Sequence, residues 1–206
     1  MAINATNEGG ANFQPIEAGT YSARCYGMIH IGTVTENILG KEKTLNKVLI
    51  KWELPTELKE FKSGEGEKPY SLTKEFTLSL HEKATLRKFL ESWRGKNFTD
   101  DESKSFDVTK LLGIPCMLSV IHKTGGNGKT YAEIASVSQV VKGMTVPPQI
   151  NAKEELNYDN FDFNLFASQA EFIRKKIESS VEYKNLVNSL ESEPQAETGV
   201  NDDLPF

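Results

Sequence analysis

Apolar and polar residues alternate with a period of two along residues 20–31, where Tyr21, Ala23 and Cys25 interleave with Ser22, Arg24 and Tyr26. Gly27 then interrupts the run before Met28, Ile29 and Ile31. This pattern predicts a long strand with a bend or bulge. Residues 47–54 repeat the period, with Val48, Ile50 and Trp52 on one face and Lys47, Leu49 and Lys51 on the other, and Pro55 is expected to end the run. A charged, Gly-punctuated connection over 56–69 leads to a third strand at 70–80, where Lys74, Phe76, Leu78 and Leu80 share one parity. The period then changes to that of a helix. Leu86, Phe89, Leu90 and Trp93 form one stripe over 84–93, and Gly95 suits a C-terminal cap. Residues 115–123 and 130–141 read as two further strands joined by a hairpin turn through Thr124-Gly125-Gly126-Asn127-Gly128-Lys129.

Three strands, a helix and two strands within residues 20–141 is the order of the OB-fold, a five-stranded Greek-key barrel with its helix between strands 3 and 4. The expected fold class is therefore mainly β. A loose N-terminal arm (1–18), the OB-fold body (19–147), a linker with two short amphipathic helices (148–190) and an unstructured acidic tail (191–206) complete the organisation. The helices follow from Ser168 with Glu171 and Ser179 with Glu182, both at capping-box spacing, ahead of Phe172, Ile173 and Ile177 and of Tyr183, Leu186, Val187 and Leu190. Short helices cannot bury such stripes alone, so they must dock on the body or meet another chain, and self-association stays open.

Charge changes the picture. The net −5 conceals a mildly basic body, with nineteen Lys and Arg against seventeen Asp and Glu in residues 1–150, followed by five against twelve in the remainder. No run approaches a membrane span, and the N-terminus has neither a basic start nor an apolar stretch, so a cytoplasmic location is expected, the host cytoplasm if the chain is phage-encoded. Cys25 and Cys116 lie in apolar strand-like segments away from each other and from His30, His81 and His122, which predicts buried reduced thiols and no metal site.

Catalytic chemistry finds little footing. Gly126-Asn127-Gly128-Lys129-Thr130 resembles the end of a phosphate-binding loop, but the first glycine of that motif would fall at Lys123 and the segment feeds a strand instead of a helix. Asp100, Asp101 and Glu102 could hold magnesium, yet consecutive carboxylates usually mark a solvated helix start. No nucleophile, base and orienting acid assemble, so no enzyme, metal or cofactor is expected. What remains is aromatic rings interleaved with cations along the strands: Arg24 and Tyr26, Lys47, Lys51 and Trp52, Tyr70 and Lys74, and Lys123, Lys129 and Tyr131 about the last hairpin. Single-stranded nucleic acid calls for that combination, because bases stack on ring faces and the backbone needs counter-charge. Trp52 shares parity with Val48 and Ile50 and is as well suited to the core; Phe76 suits it better still.

The end of the chain points to a protein partner. Asp202, Asp203, Leu204, Pro205 and Phe206 put an aromatic ring and its terminal carboxylate behind an acidic segment that has no Lys or Arg after Lys184. Such a segment suits an apolar pocket with a basic rim.

Leu80-His81-Glu82-Lys83, Leu90-Glu91-Ser92-Trp93-Arg94-Gly95-Lys96-Asn97-Phe98, Phe106-Asp107, Leu111-Leu112-Gly113-Ile114-Pro115-Cys116, Gly128-Lys129-Thr130-Tyr131-Ala132 and Ile134-Ala135-Ser136-Val137 resemble a family of bacteriophage OB-fold single-stranded DNA-binding proteins, as does the region from Phe172 to Tyr183. The resemblance implies a non-enzymatic protein that coats single-stranded DNA during replication, recombination or repair. Residues 202–206 are similar to the acidic tip of bacterial single-stranded DNA-binding proteins, which recruits replication and repair enzymes. Here the acidic run is shorter, Leu204 stands where isoleucine is usual, and helices replace the long linker. The competing expectation is a protein-interaction adaptor with little or no DNA binding.

Overall fold

The computed structural model describes residues 14–126 and 128–192. Its fold is mainly β: strands β1 (Gly19–Ile38), β2 (Lys41–Glu60), β3 (Glu67–Thr77), β4 (Pro115–Thr124), β5 (Thr130–Ser138) and β6 (Glu154–Leu156) form one antiparallel sheet. Hydrogen-bonded neighbours run in the order β3, β2, β1, β4, β5, and β6 pairs with β1. Helix α1 (Thr85–Arg94) lies between β3 and β4 in the chain, followed by α2 (Asp100–Lys104) and a 3₁₀ turn at Val108–Leu111. The chain then adds α3 (Phe163–Ser168), α4 (Glu171–Glu178) and α5 (Val181–Ser192). No helix among the described residues is long and apolar enough to cross a membrane.

The first two strands are each 20 residues long, far beyond what the sequence pattern predicts. They meet in a two-residue turn with positive φ at both Leu39 (53°) and Gly40 (78°), the backbone of a type I′ hairpin, whose twist matches its strands. Pro55 lies inside β2 instead of ending it. Because β2 and β3 are sheet neighbours joined only by residues 61–66, their pairing carries the strand past the one missing N–H. The sixth strand is a further departure from the five-strand expectation.

The chain divides into two compact units, one formed by Leu49–Glu155 with the chain up to Met28, the other by Ile29–Val48 with the chain from Leu156. In the first, α1 buries the expected stripe of Leu86, Phe89, Leu90 and Trp93 and ends at Gly95 in the left-handed region. Trp52 is fully buried there, its ring 5.8 Å from Phe89 and 5.7 Å from Trp93, while Phe76 packs 4.9 Å from Phe89. These four rings fill the centre of the unit. The acidic trio Asp100, Asp101 and Glu102 forms the first turn of α2, closed by a capping box between Thr99 and Glu102. Hydrogen bonds from the Thr99 amide lead, against desolvation, in holding the Glu102 carboxyl down to about 2, with Lys96 and Arg94 adding to the effect.

Cys25 and Cys116 are both free and fully buried, as expected, and burial pushes the Cys25 thiol up to about 12 and the Cys116 thiol further in the same direction. Neither forms the reactive thiolate at neutral pH. A thiol-specific chromogenic reagent should therefore modify neither cysteine in the native protein and both in denaturant; fast labelling of the native chain would contradict this packing.

In the second unit the C-terminal helices dock on the distal half of the β1–β2 hairpin. Phe166, Ile173 and Ile177 are buried, and Phe161 gathers Tyr158, Phe163, Phe166 and Tyr183 around itself at 5.0–5.7 Å. The Tyr158 hydroxyl donates to the Ile31 carbonyl (2.8 Å) and lies 2.9 Å from Ser180 Oγ. Both expected capping boxes shift. Ser168 closes α3 by donating to the Leu165 carbonyl, leaving Ala170 to cap α4 without a side-chain bond, and α5 is capped by Ser180, which accepts from the Tyr183 amide.

Glu182 leaves the box because it accepts from the Thr33 amide and hydroxyl, each at 2.6 Å. Burial opposes its charge, but the Thr33 bonds outweigh that and hold its carboxyl below the ordinary range. A depressed folded pKa gives stability that is complete above the ordinary carboxylate value and lost as pH falls through the lowered one. Acid should therefore loosen this unit first, and Glu182→Gln should flatten the pH dependence of its amide exchange. Gly32 approaches Ser180 and Glu182 with φ of 92°, leaving a Cβ only 2.9 Å from the Ser180 side chain and 2.7 Å from Glu182. Gly32→Ala should cost about 1–3 kcal/mol in urea denaturation.

Candidate nucleic-acid interface

The ten aromatic and basic side chains expected to form a binding groove separate into two groups. Half serve the architecture. The Arg24 guanidinium donates to the carbonyls of Pro147 (2.5 Å), Gly113 (2.8 Å) and Val146 (3.0 Å), which occupies the fork with main-chain acceptors. Tyr26 is buried, and that burial raises its pKa against a hydrogen bond with Ser71. Lys47 pairs with Glu36, which also holds Lys176 at 2.6 Å, and Lys51 pairs with Glu154 at 2.6 Å. Both lysines are buried. Trp52 belongs to the aromatic core.

The correction has one cause. Alternation assigns Lys47, Leu49 and Lys51 to a solvent face, but every residue of β2 from Lys47 to Pro55 is buried, so both faces of the strand are covered. Arg24, Tyr26, Lys47, Lys51 and Trp52 are thus packed or paired where an exposed groove was expected.

Tyr70, Lys74, Lys123, Lys129 and Tyr131 remain, all from β3, β4, β5 and the β4–β5 hairpin. Tyr70 and Tyr131 line one cleft of about 240 Å³ with Ile16, Leu72 and Ala132. Tyr131 is 46% exposed, and Tyr70 is half-buried. The Tyr70 ring is braced edge-on by Phe61 at 5.1 Å, with the Lys59 ammonium 5.6 Å from its centroid, and its hydroxyl donates to the Gln14 carbonyl at 3.4 Å. Lys59 and Phe61 escaped the sequence reading. Their alternation with Leu58 and Glu60 was the available signal, hidden because Pro55 was taken as the end of the strand.

Cations stand beside the rings. Antiparallel register sets Lys123 opposite Tyr131, and Ile121 opposite Glu133. Glu133 accepts from Lys123 at 2.7 Å and from Lys74 at 3.3 Å, while Lys74 also donates to the Ile134 carbonyl at 2.6 Å. The Lys123 hydrogen bond leads in holding the Glu133 carboxyl below its ordinary range, and Glu133 correspondingly raises Lys123. One carboxylate thus orders two lysines beside the cleft. Lys129 is exposed at the end of the hairpin.

Comparison of the chain with protein-family models, with curated proteins and with solved structures finds no match. Among the described residues, no three His, Cys, Asp or Glu side chains gather as a metal ion would require. The expected partner-binding residues Asp202, Asp203, Leu204, Pro205 and Phe206 lie outside the described residues.

The two groups should respond differently to substitution. Arg24→Ala strips three carbonyls of a charged donor and should lower stability by about 2–4 kcal/mol in urea denaturation. Tyr131→Ala, at a half-exposed ring, should leave stability within about 0.5 kcal/mol. Equal losses at the two positions would contradict the division.

Proposed function

We propose that the chain binds single-stranded DNA along the cleft between β3 and β5, with little sequence preference. The observation that carries this reading is the pair of tyrosines sharing one open cleft, with lysines from both sides within reach of a backbone passing over them. Tyr70 and Tyr131 supply faces for bases; Lys74, Lys123 and Lys129 supply counter-charge for phosphates. Stacking on such rings is sequence-tolerant because every base has a π-face, and is worth roughly 1–3 kcal/mol per base.

Support for an OB-type sheet comes from the chain order of β1 to β5 with α1 between β3 and β4, and from Lys74 reaching from β3 to β5, the two ends of the hydrogen-bonded path. The wider reading is a coat protein for single strands in phage replication or recombination, whose residues 202–206 recruit partner enzymes. It rests on the resemblance of the residues quoted above and on the chemistry of that acidic segment.

Glu133 gives the reading a distinctive signature. Its carboxylate occupies the ammonium groups that phosphates would need, so Glu133→Gln should tighten binding, whereas Tyr131→Ala should weaken it roughly five- to a hundredfold. Trp52 and Trp93 are buried and make poor reporters. A fluorescein-labelled oligo-dT followed by anisotropy over a salt series avoids them, and affinity should fall steeply with salt. Absence of salt-dependent binding would sink the proposal and favour the adaptor reading.

A further inference from the structure

A second concavity, of about 530 Å³, opens at the C-terminal end of α1. Its apolar lining comes from Trp93, Leu111, Ile114 and Val140, of which Ile114 is 43% exposed despite its size. Every charged residue in the lining is basic: Arg94, Lys96 and Lys110. Arg94 is held rigidly, its guanidinium 4.2 Å from the Phe98 ring centroid and 4.9 Å from that of Phe106, with Nη2 donating to Glu102 at 2.5 Å. Its Nη1 is buried without a hydrogen-bond partner among the described residues. Lys96 shares Glu102 at 3.2 Å but keeps 64% of its side chain exposed. The α1 end itself is clamped, since Gln139 donates to the Arg94 carbonyl at 2.7 Å and packs where a Gly95 side chain would stand. A preformed apolar pocket with a fixed cationic border is suited to a peptide that carries a large apolar side chain beside carboxylates.

This chain contains one segment of that description. Residues 191–206 hold Glu191, Glu193, Glu197, Asp202 and Asp203, no Lys or Arg, and the apolar run Leu204-Pro205-Phe206. We infer that the pocket at the end of α1 is a docking site for this acidic segment, with Leu204 to Phe206 against Trp93, Ile114 and Val140 and with Asp202 and Asp203 at Lys96 and Lys110. Bound there, the segment leaves the tyrosine cleft free, so docking and nucleic-acid binding occur at separate sites, and the segment must leave this pocket before it can engage another protein. Charge complementarity chooses the occupant: a neutral apolar peptide gains nothing from the lysines, and a bare phosphate gains nothing from the apolar lining. The inference does not depend on DNA binding, and its test contains no nucleic acid.

Replacing Phe206 by the photo-cross-linker p-benzoylphenylalanine in the full-length chain, followed by irradiation and peptide mapping, reads the docking site directly. Cross-links should fall within residues 93–96, 110–115 and 139–140. The Lys96→Glu, Lys110→Glu double variant, altered only at exposed side chains, should lower the yield roughly fivefold or more. Adding Asp202→Lys and Asp203→Lys to that variant should restore the yield. Cross-links to residues 70–74 or 123–133, no cross-link within the chain, or failure of the charge swap to restore the yield would each overturn the inference.

Discussion

A carboxylate with no access to water organises much of the larger unit. Glu53 is fully buried in β2 and accepts from the amides of Ile150 (2.6 Å) and Asn151 (2.7 Å), a bidentate arrangement that satisfies both oxygens with main-chain donors. An ionised carboxylate in such surroundings costs several kcal/mol unless its partners are in place, so the segment carrying those amides has little freedom to leave. Arg24 completes the clamp from β1 with its bonds to Val146 and Pro147. Two opposite charges, neither touching the other, thereby hold residues 146–151 over the strands. This strap makes the second face of β2 an interior surface and turns Lys51 from a groove lysine into the partner of Glu154.

The same burial explains why the open cleft lies where it does. With the middle of β2 covered on both sides, the surface left for a ligand is at the ends of the hydrogen-bonded path, β3 and β5, where Tyr70 and Tyr131 stand. Glu133 joins those ends to β4 by sharing Lys74 and Lys123, so the cations are ordered before any phosphate arrives. Ordering of that kind lowers the entropic cost of binding while setting an internal competitor against the ligand. At the end of α1 the arrangement differs: the cations border an apolar hollow instead of flanking exposed rings. The two concavities therefore suit different chemistry, one a stacked and charged strand, the other an acidic peptide with an apolar anchor.

Much of the fold was legible in the pattern of residues, and the illegible parts share a cause. Period-two alternation located the centres of β1 to β5, and the stripe from Leu86 to Trp93 gave α1 almost to the residue, because a helix on a core must repeat its apolar positions every three or four residues. The outer reaches of β1 and β2 were missed since the hairpin beyond Gly32 is supported by α4 and α5, elements distant in sequence. Three-residue β6 carries too short a pattern to register. Glu182 at capping-box spacing misled for a related reason: Thr33, 149 positions away, offers its carboxylate two donors. Half of the candidate site survived, and the residues that failed, Arg24 and Lys51 among them, failed because charge on a strand looks the same whether water or a buried partner faces it.

By itself the sequence determined which segments form strands and helices, that the two cysteines are buried thiols, and that a mildly basic body precedes an acidic end. Those properties follow from local periodicity, from apolar context and from counting charges. Only the tertiary structure decided which cations are spent on the fold, which rings face a cleft, and that Lys59 and Phe61 stand behind Tyr70. Burial and pairing are relations between residues far apart in the chain, and alternation along one strand reports a parity without saying what covers either face.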